Sequence, residues 1–86
     1  MISLPSQILD VSIRSRKKSF FVGQSPSVTS LNDRGEFDVL PQHANFISLV
    51  RNYIILAKGT KSEQKFVISM GILKVKENQV EIFLDV

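Results

Sequence analysis

Apolar and polar residues alternate along much of this chain. Leu9, Val11 and Ile13 are separated by Asp10, Ser12 and Arg14, and Val80, Ile82 and Leu84 by Glu81 and Phe83. Side chains two apart on a strand share a face, so each stretch predicts a strand with one side in a core. Phe66, Ile68, Met70 and Ile72 mark a third such stretch, expected to share one buried face. Phe83 has the opposite parity to its neighbours, so it either packs under a loop or meets a partner. Asn52–Ala57, NYIILA, is instead a continuous apolar run and predicts a strand buried on both sides.

Turn signals recur every 8–12 residues or so, the spacing of an all-β sandwich. They fall at Arg16–Ser19, Asn32–Gly35, Pro41–Gln42, Arg51–Asn52, Lys58–Thr60 and Glu77–Asn78. Gly35 and Gly59 can supply positive φ, and Asn52 and Asn78 tolerate it better than most residues. Pro5 and Pro26 suit strand starts or edges, where a missing N–H breaks no ladder. His43–Arg51 could form one or two helical turns, but it is short and has no clear cap. The fold class expected is therefore all-β: a two-sheet antiparallel β-sandwich of about 8–10 short strands.

Composition narrows the classes without choosing one. Eighty-six residues suffice for one domain, taken as 1–86, that can bury about 64% of its unfolded surface. Cysteine is absent and histidine occurs once, so thiolate metal sites and disulfide frameworks fall away and a metal site is not expected. No basic, apolar leader opens the chain and no apolar run reaches the roughly 18 residues of a membrane span. A net charge of +3, from 11 basic and 8 acidic residues, is mild for a nucleic-acid binder.

Three constellations carry candidate chemistry. His43 with Glu36 and Asp38 could form an acid–base pair, yet no G-x-S-x-G elbow presents a nucleophile, and a loop or interface role is the simpler reading. Arg14–Lys18, RSRKK, could meet phosphates or acidic lipid, or be the solvated tip of a hairpin. Phe20, Phe21, Phe37, Phe46, Tyr53, Phe66 and Phe83 could stack single-stranded bases, but most sit among apolar neighbours and read as core. The four glycines are too dispersed to cradle a phosphate. No catalytic residue and no cofactor is expected; the residues describe a small non-enzymatic β-sandwich, with a single-stranded nucleic-acid-binding barrel as the alternative.

Three blocks in order then resemble one family. Phe20–Gly23, FFVG, comes first; Gly35 opens GEFDVLPQHA; Val67–Leu84, VISMGILKVKENQVEIFL, closes the domain. Together they resemble the N-terminal β-sandwich of the epsilon-type subunits of F-type ATP synthases. The resemblance implies a non-catalytic rotor part of the central stalk. It would bind the gamma subunit and the membrane ring of c subunits and couple ion transport to ATP synthesis. It also implies a peripheral place at the membrane, on the cytoplasmic side in bacteria. By the same resemblance Arg34, Gly35, Glu36 and Phe37 face the c-ring, and Ser15, His43 and Ser48 face gamma. Two departures stand out: Gln42 replaces a glycine of the family's P-G-H-A-P, and Met70 replaces the first glycine of S-G-G. The family usually continues into a two-helix domain, and this sequence stops before it, at Asp85–Val86.

Overall fold

The computed structural model describes residues 8–85; Pro5 lies outside them. Seven strands follow in order: β1 (Leu9–Arg14), β2 (Ser19–Ser25), β3 (Val28–Asn32), β4 (Gly35–Val39), β5 (Phe46–Leu56), β6 (Gln64–Lys76) and β7 (Gln79–Leu84). They hydrogen-bond in the order β2-β1-β7-β6-β5-β3-β4. Every pairing is antiparallel except β1 with β7, which is parallel.

This single ladder folds over itself. The N-terminal half of β5 pairs with the C-terminal half of β6, which in turn pairs with β7, whereas the C-terminal half of β5 pairs with β3. One layer therefore holds β2, β1, β7 and those first-named halves of β6 and β5. The second layer holds β4, β3 and the remaining halves. Phe21 on β2 and Phe66 on β6 are three strand spacings apart along the ladder, about 14 Å. Their rings nonetheless meet edge to face at 6.2 Å, because the two layers face each other. Phe37 and Phe46 close the opposite side with centroids 5.6 Å apart. Between these pairs lies one apolar core, with Leu9, Ile13, Val39, Ile54, Leu73 and Ile82 fully enclosed.

The all-β fold class and the sandwich are as expected, but the described residues form seven strands rather than eight to ten. The reason is that β5 and β6 are long, at 11 and 13 residues, and each serves both layers. The bend that allows this lies at Arg51–Asn52, a position read as a turn from sequence. It is a bulge: Asn52 pairs with Ile68 and Arg51 with Met70, leaving Ser69 as the extra residue on β6. Asn52 adopts φ 73° there, a conformation asparagine tolerates better than branched residues. His43–Arg51 forms no helix; Phe46–Arg51 is the start of β5.

The same bulge corrects the expected pattern on β6. An extra residue flips side-chain parity, so Phe66 and Ile68 point inward, and beyond Ser69 the inward positions are Gly71, Leu73 and Val75. Met70 and Ile72 consequently point to solvent. NYIILA behaves as expected over Ile54–Ala57, all buried, while Asn52 is exposed at the bulge.

Candidate functional site

The first layer's outer face is built from cross-strand rows. Arg14, Phe83, Ile72 and Leu49 lie side by side across β1, β7, β6 and β5. The next row runs Val22, Ser12, Glu81, Lys74 and Ile47. Met70, opposite Arg51, stands in the adjacent row next to the bulge, and Phe20 stands at the β2 edge, facing Lys65–Ser69 of β6. Among the described residues nine large apolar side chains are exposed, and of these Leu40, Val67 and Phe20 lie elsewhere. The other six, from Phe83 at 42% to Val22 at 77% exposed, lie together on this face. Buried apolar side chains on the strands' other sides hold the rows flat. Gly71 lets β7 come close: a Cβ there would stand 2.8 Å from the Phe83 carbonyl oxygen. A shallow groove of about 330 Å³ runs over this glycine, lined by Leu49, Met70, Ile72, Phe83, Leu84 and Asp85. Contiguous exposed apolar surface of this kind marks a place where another macromolecule sits.

The second layer's outer face has a different chemistry. Asp38, Thr29, Ile55 and Lys65 form one row, with the Thr29 hydroxyl donating to Asp38 at 2.5 Å. Glu36 is held at both oxygens: the Tyr53 hydroxyl donates to Oε1 and the Lys58 ammonium to Oε2, each at 2.6 Å. The Lys58 hydrogen bond, followed by that of Tyr53, holds the Glu36 carboxyl below the usual carboxylate range. The same contacts raise Tyr53 and Lys58. Lys65 lies over the Tyr53 ring at 5.2 Å.

The residues expected to face partners occupy two places. Arg34 is exposed at the β3–β4 turn, and Gly35 takes φ 117° with open space where a Cβ would be. Glu36 points outward, whereas Phe37 has the opposite parity and packs inward on Phe46. Ser48, expected to face a different partner, lies beside this turn. Asn32 links the two, accepting from the Arg34 backbone N–H at 2.9 Å and donating to the Ser48 hydroxyl at 3.2 Å. His43 sits on the same side, its ring 5.5 Å from that of Phe46 and its Nδ1 2.7 Å from the Ala44 carbonyl. Ser15 is remote from these, at the β1–β2 turn, where its backbone N–H donates to the Lys18 carbonyl. The row from Arg14 to Leu49 runs between the sequence neighbours of Ser15 and Ser48, though Ser48 itself has the inward parity of Phe46 and Val50. Glu36, Asp38 and His43 do not form an acid–base group: Glu36 is bonded to Tyr53 and Lys58, Asp38 to Thr29, and His43 to its own loop. Among the described residues no three histidine or acidic side chains cluster closely enough to hold a metal.

Gln42, where the family has glycine, is at φ 68°, and its N–H donates to the Asn78 side-chain oxygen at 2.6 Å. Sequence reasoning missed Tyr53, Lys58 and Asn32 as the groups that fix the turn. Tyr53 and Lys58 lie 17 and 22 residues from Glu36, so no local signal marked them, whereas Asn32 opens the turn itself and was read from sequence only as a turn residue. Met70 and Ile72 were missed as surface residues because the bulge that exposes them leaves no composition cue.

The described residues therefore form a two-layered sandwich with one apolar outer face beside a hydrogen-bonded polar turn. The chain belongs to the ATP synthase delta/epsilon chain β-sandwich domain family, whose model matches residues 8–86. It is similar to the ATP synthase epsilon chain of a Nitratiruptor species, 38% identical over 68 residues, covering 76% of this chain and 51% of that protein. It is also similar to that of Clostridium acetobutylicum, 31% identical over 78 residues, covering 90% of this chain and 59% of the relative. The chain thus spans a little over half the length of these relatives. Two solved structures share the fold. One is a chain of the Euglena gracilis mitochondrial ATP synthase (OSCP, F1 and c-ring), with TM-score 0.81, 18% identity and coverage of 95% of this chain and 52% of that one. The other is from the central stalk and c-ring of the Tetrahymena thermophila enzyme, with TM-score 0.66, 18% identity and coverage of 88% and 62%.

Proposed function

We propose that this chain is the sandwich of a non-catalytic rotor subunit of an F-type ATP synthase, peripheral to the membrane and on its cytoplasmic face in a bacterium. In this reading it binds the gamma subunit through the apolar outer face of the first layer. The observation that carries this is the concentration of exposed apolar side chains between Ser15 and Ser48, two positions that the family resemblance assigns to gamma. Burying Leu49, Ile72, Met70 and Phe83 against an apolar partner removes their surface from water and drives association. The second contact is with the c-ring, through Arg34, Gly35 and Glu36. Gly35 supplies a backbone conformation that puts Glu36 on the outer face, and Tyr53 and Lys58 hold its carboxylate in one orientation. Phe37 serves this contact from behind, by packing the turn's strand on Phe46. Family membership and the shared fold support the assignment.

The alternative of a single-stranded nucleic-acid binder loses its main support: Phe21, Phe37, Phe46 and Phe66 pack on the core and are not free for stacking. The test is co-elution of the full chain with the gamma subunit of the same synthase. A stable complex at micromolar concentration that survives moderate salt is expected. No complex would remove the assignment.

A further inference from the structure

The apolar face has one strongly charged margin. Arg14, Arg16, Lys17 and Lys18 lie at the β1–β2 corner, and all four are exposed. The turn between them is fixed by the Ser15 N–H donating to the Lys18 carbonyl at 2.8 Å and the Lys17 N–H donating to the Ser15 hydroxyl at 3.3 Å. Two of the cations rest on aromatic rings: the Arg14 guanidinium over Phe83 of the apolar face at 4.7 Å and the Lys18 ammonium over Phe20 at the β2 edge at 5.2 Å. The described residues contain two ion pairs, Arg51–Asp33 and Lys58–Glu36, and neither involves this corner. Asp10, the acid on the same hairpin, accepts from Gln24 near its other end. Glu81 is opposite Lys74 one row away.

Four cations with no ion pair among the described residues, at the rim of an apolar patch, constrain the chemistry of what covers it. The geometry points to a partner surface that is apolar at its centre and carries a cluster of carboxylates along the edge that meets the β1–β2 turn. This rests on the reading that the gamma subunit covers the face, and it adds which side of the contact is electrostatic. Rim charges of this kind act through steering and register more than through buried contacts, so their effect is screened by salt, whereas the apolar centre is not.

The test titrates the gamma subunit of the same synthase with the full chain and with an Arg16→Gln, Lys17→Gln, Lys18→Gln variant. Both are measured in low salt (about 50 mM) and high salt (about 500 mM). The turn is exposed and held by backbone and Ser15 contacts, so the variant keeps its fold. A control, Lys61→Gln with Lys65→Gln, removes charge from the second layer. The triple variant is expected to bind about tenfold more weakly at low salt and within about threefold of wild type at high salt, with the control close to wild type. Equal binding of wild type and triple variant at low salt, with gamma still bound, overturns the acidic margin and leaves the docking face intact. An equal loss in the control also overturns it, because the effect then follows net charge and not this corner. A triple variant that keeps its gamma affinity but loses binding to phosphatidylglycerol vesicles reassigns the turn to lipid. Failure of wild type to bind gamma removes both this inference and the proposed function.

Discussion

The two outer faces of this sandwich come from the same alternation of strand residues but differ in how their side chains are satisfied. On the second layer Glu36, Tyr53, Lys58, Asp38 and Thr29 complete one another within the chain. On the first, Phe83, Ile72, Met70 and Leu49 are exposed apolar side chains, and among the described residues Arg14 alone is seen to rest on them, over the Phe83 ring. A face whose groups are already paired offers a partner little, since each new bond replaces an old one. An unpaired apolar face gains from every contact that excludes water. This difference is why the proposed docking is put on the first layer, with the second layer's hydrogen bonds holding the β3–β4 turn.

The largest expected effect comes from breaking that difference directly. Leu49→Asp combined with Ile72→Asp puts charge at the centre of the apolar face and should weaken gamma binding about a hundredfold. Val67→Asp, at a still more exposed position but on the second layer, should change it by less than about twofold. Calorimetric titration of each variant separates the two, and thermal unfolding should stay close to wild type in all of them. Gly71→Ala attacks the same face from beneath. Its new methyl group meets the Phe83 carbonyl, so β7 must shift, at a cost of about 1–3 kcal/mol in chemical denaturation. Gln42→Gly relieves a left-handed backbone on the β4–β5 loop and should stabilise the chain by about 1 kcal/mol, the glycine's extra unfolded-state freedom offsetting part of the gain.

The smallest effect concerns pH. Glu36 is depressed by its partners, so its network contributes stability above the ordinary glutamate value and loses it as pH falls through the depressed one. Lys58 and Tyr53 are raised, so their share is present at neutral pH and is lost as pH rises through their raised values. Melting curves of wild type and Glu36→Gln should therefore differ slightly near neutrality and converge at both strongly acid and strongly alkaline pH. Because the three groups are exposed, a large difference at neutrality would contradict their description as a surface network.

Much of the fold was legible because alternation reports which face of a strand is buried, and β1 and β7 obey it throughout. The turns at Asn32–Gly35 and Glu77–Asn78 were also legible. Gly35 takes positive φ, as do both Glu77 and Asn78. What failed was parity on β6, since a single extra residue at Ser69 reverses every side chain beyond it and composition gives no sign of it. Asn52 was recognised as a residue suited to positive φ, but the same conformation serves a turn or a bulge, and only the pairing of β5 with both β3 and β6 distinguishes them. The residues expected to face partners were named only through family resemblance. The surface between them came from geometry, because exposure of Met70, Ile72 and Leu49 is a property of the folded ladder.

The most direct measurement is an amide hydrogen-exchange footprint of the chain with and without the gamma subunit. The account predicts new protection along β5 from Phe46 to Val50, β6 from Met70 to Lys74, β7 and the β1–β2 turn, with β4 and the Gln64–Ile68 half of β6 unchanged. Protection confined to β4 and that half of β6, with the first layer exchanging as it does in the free chain, would contradict it.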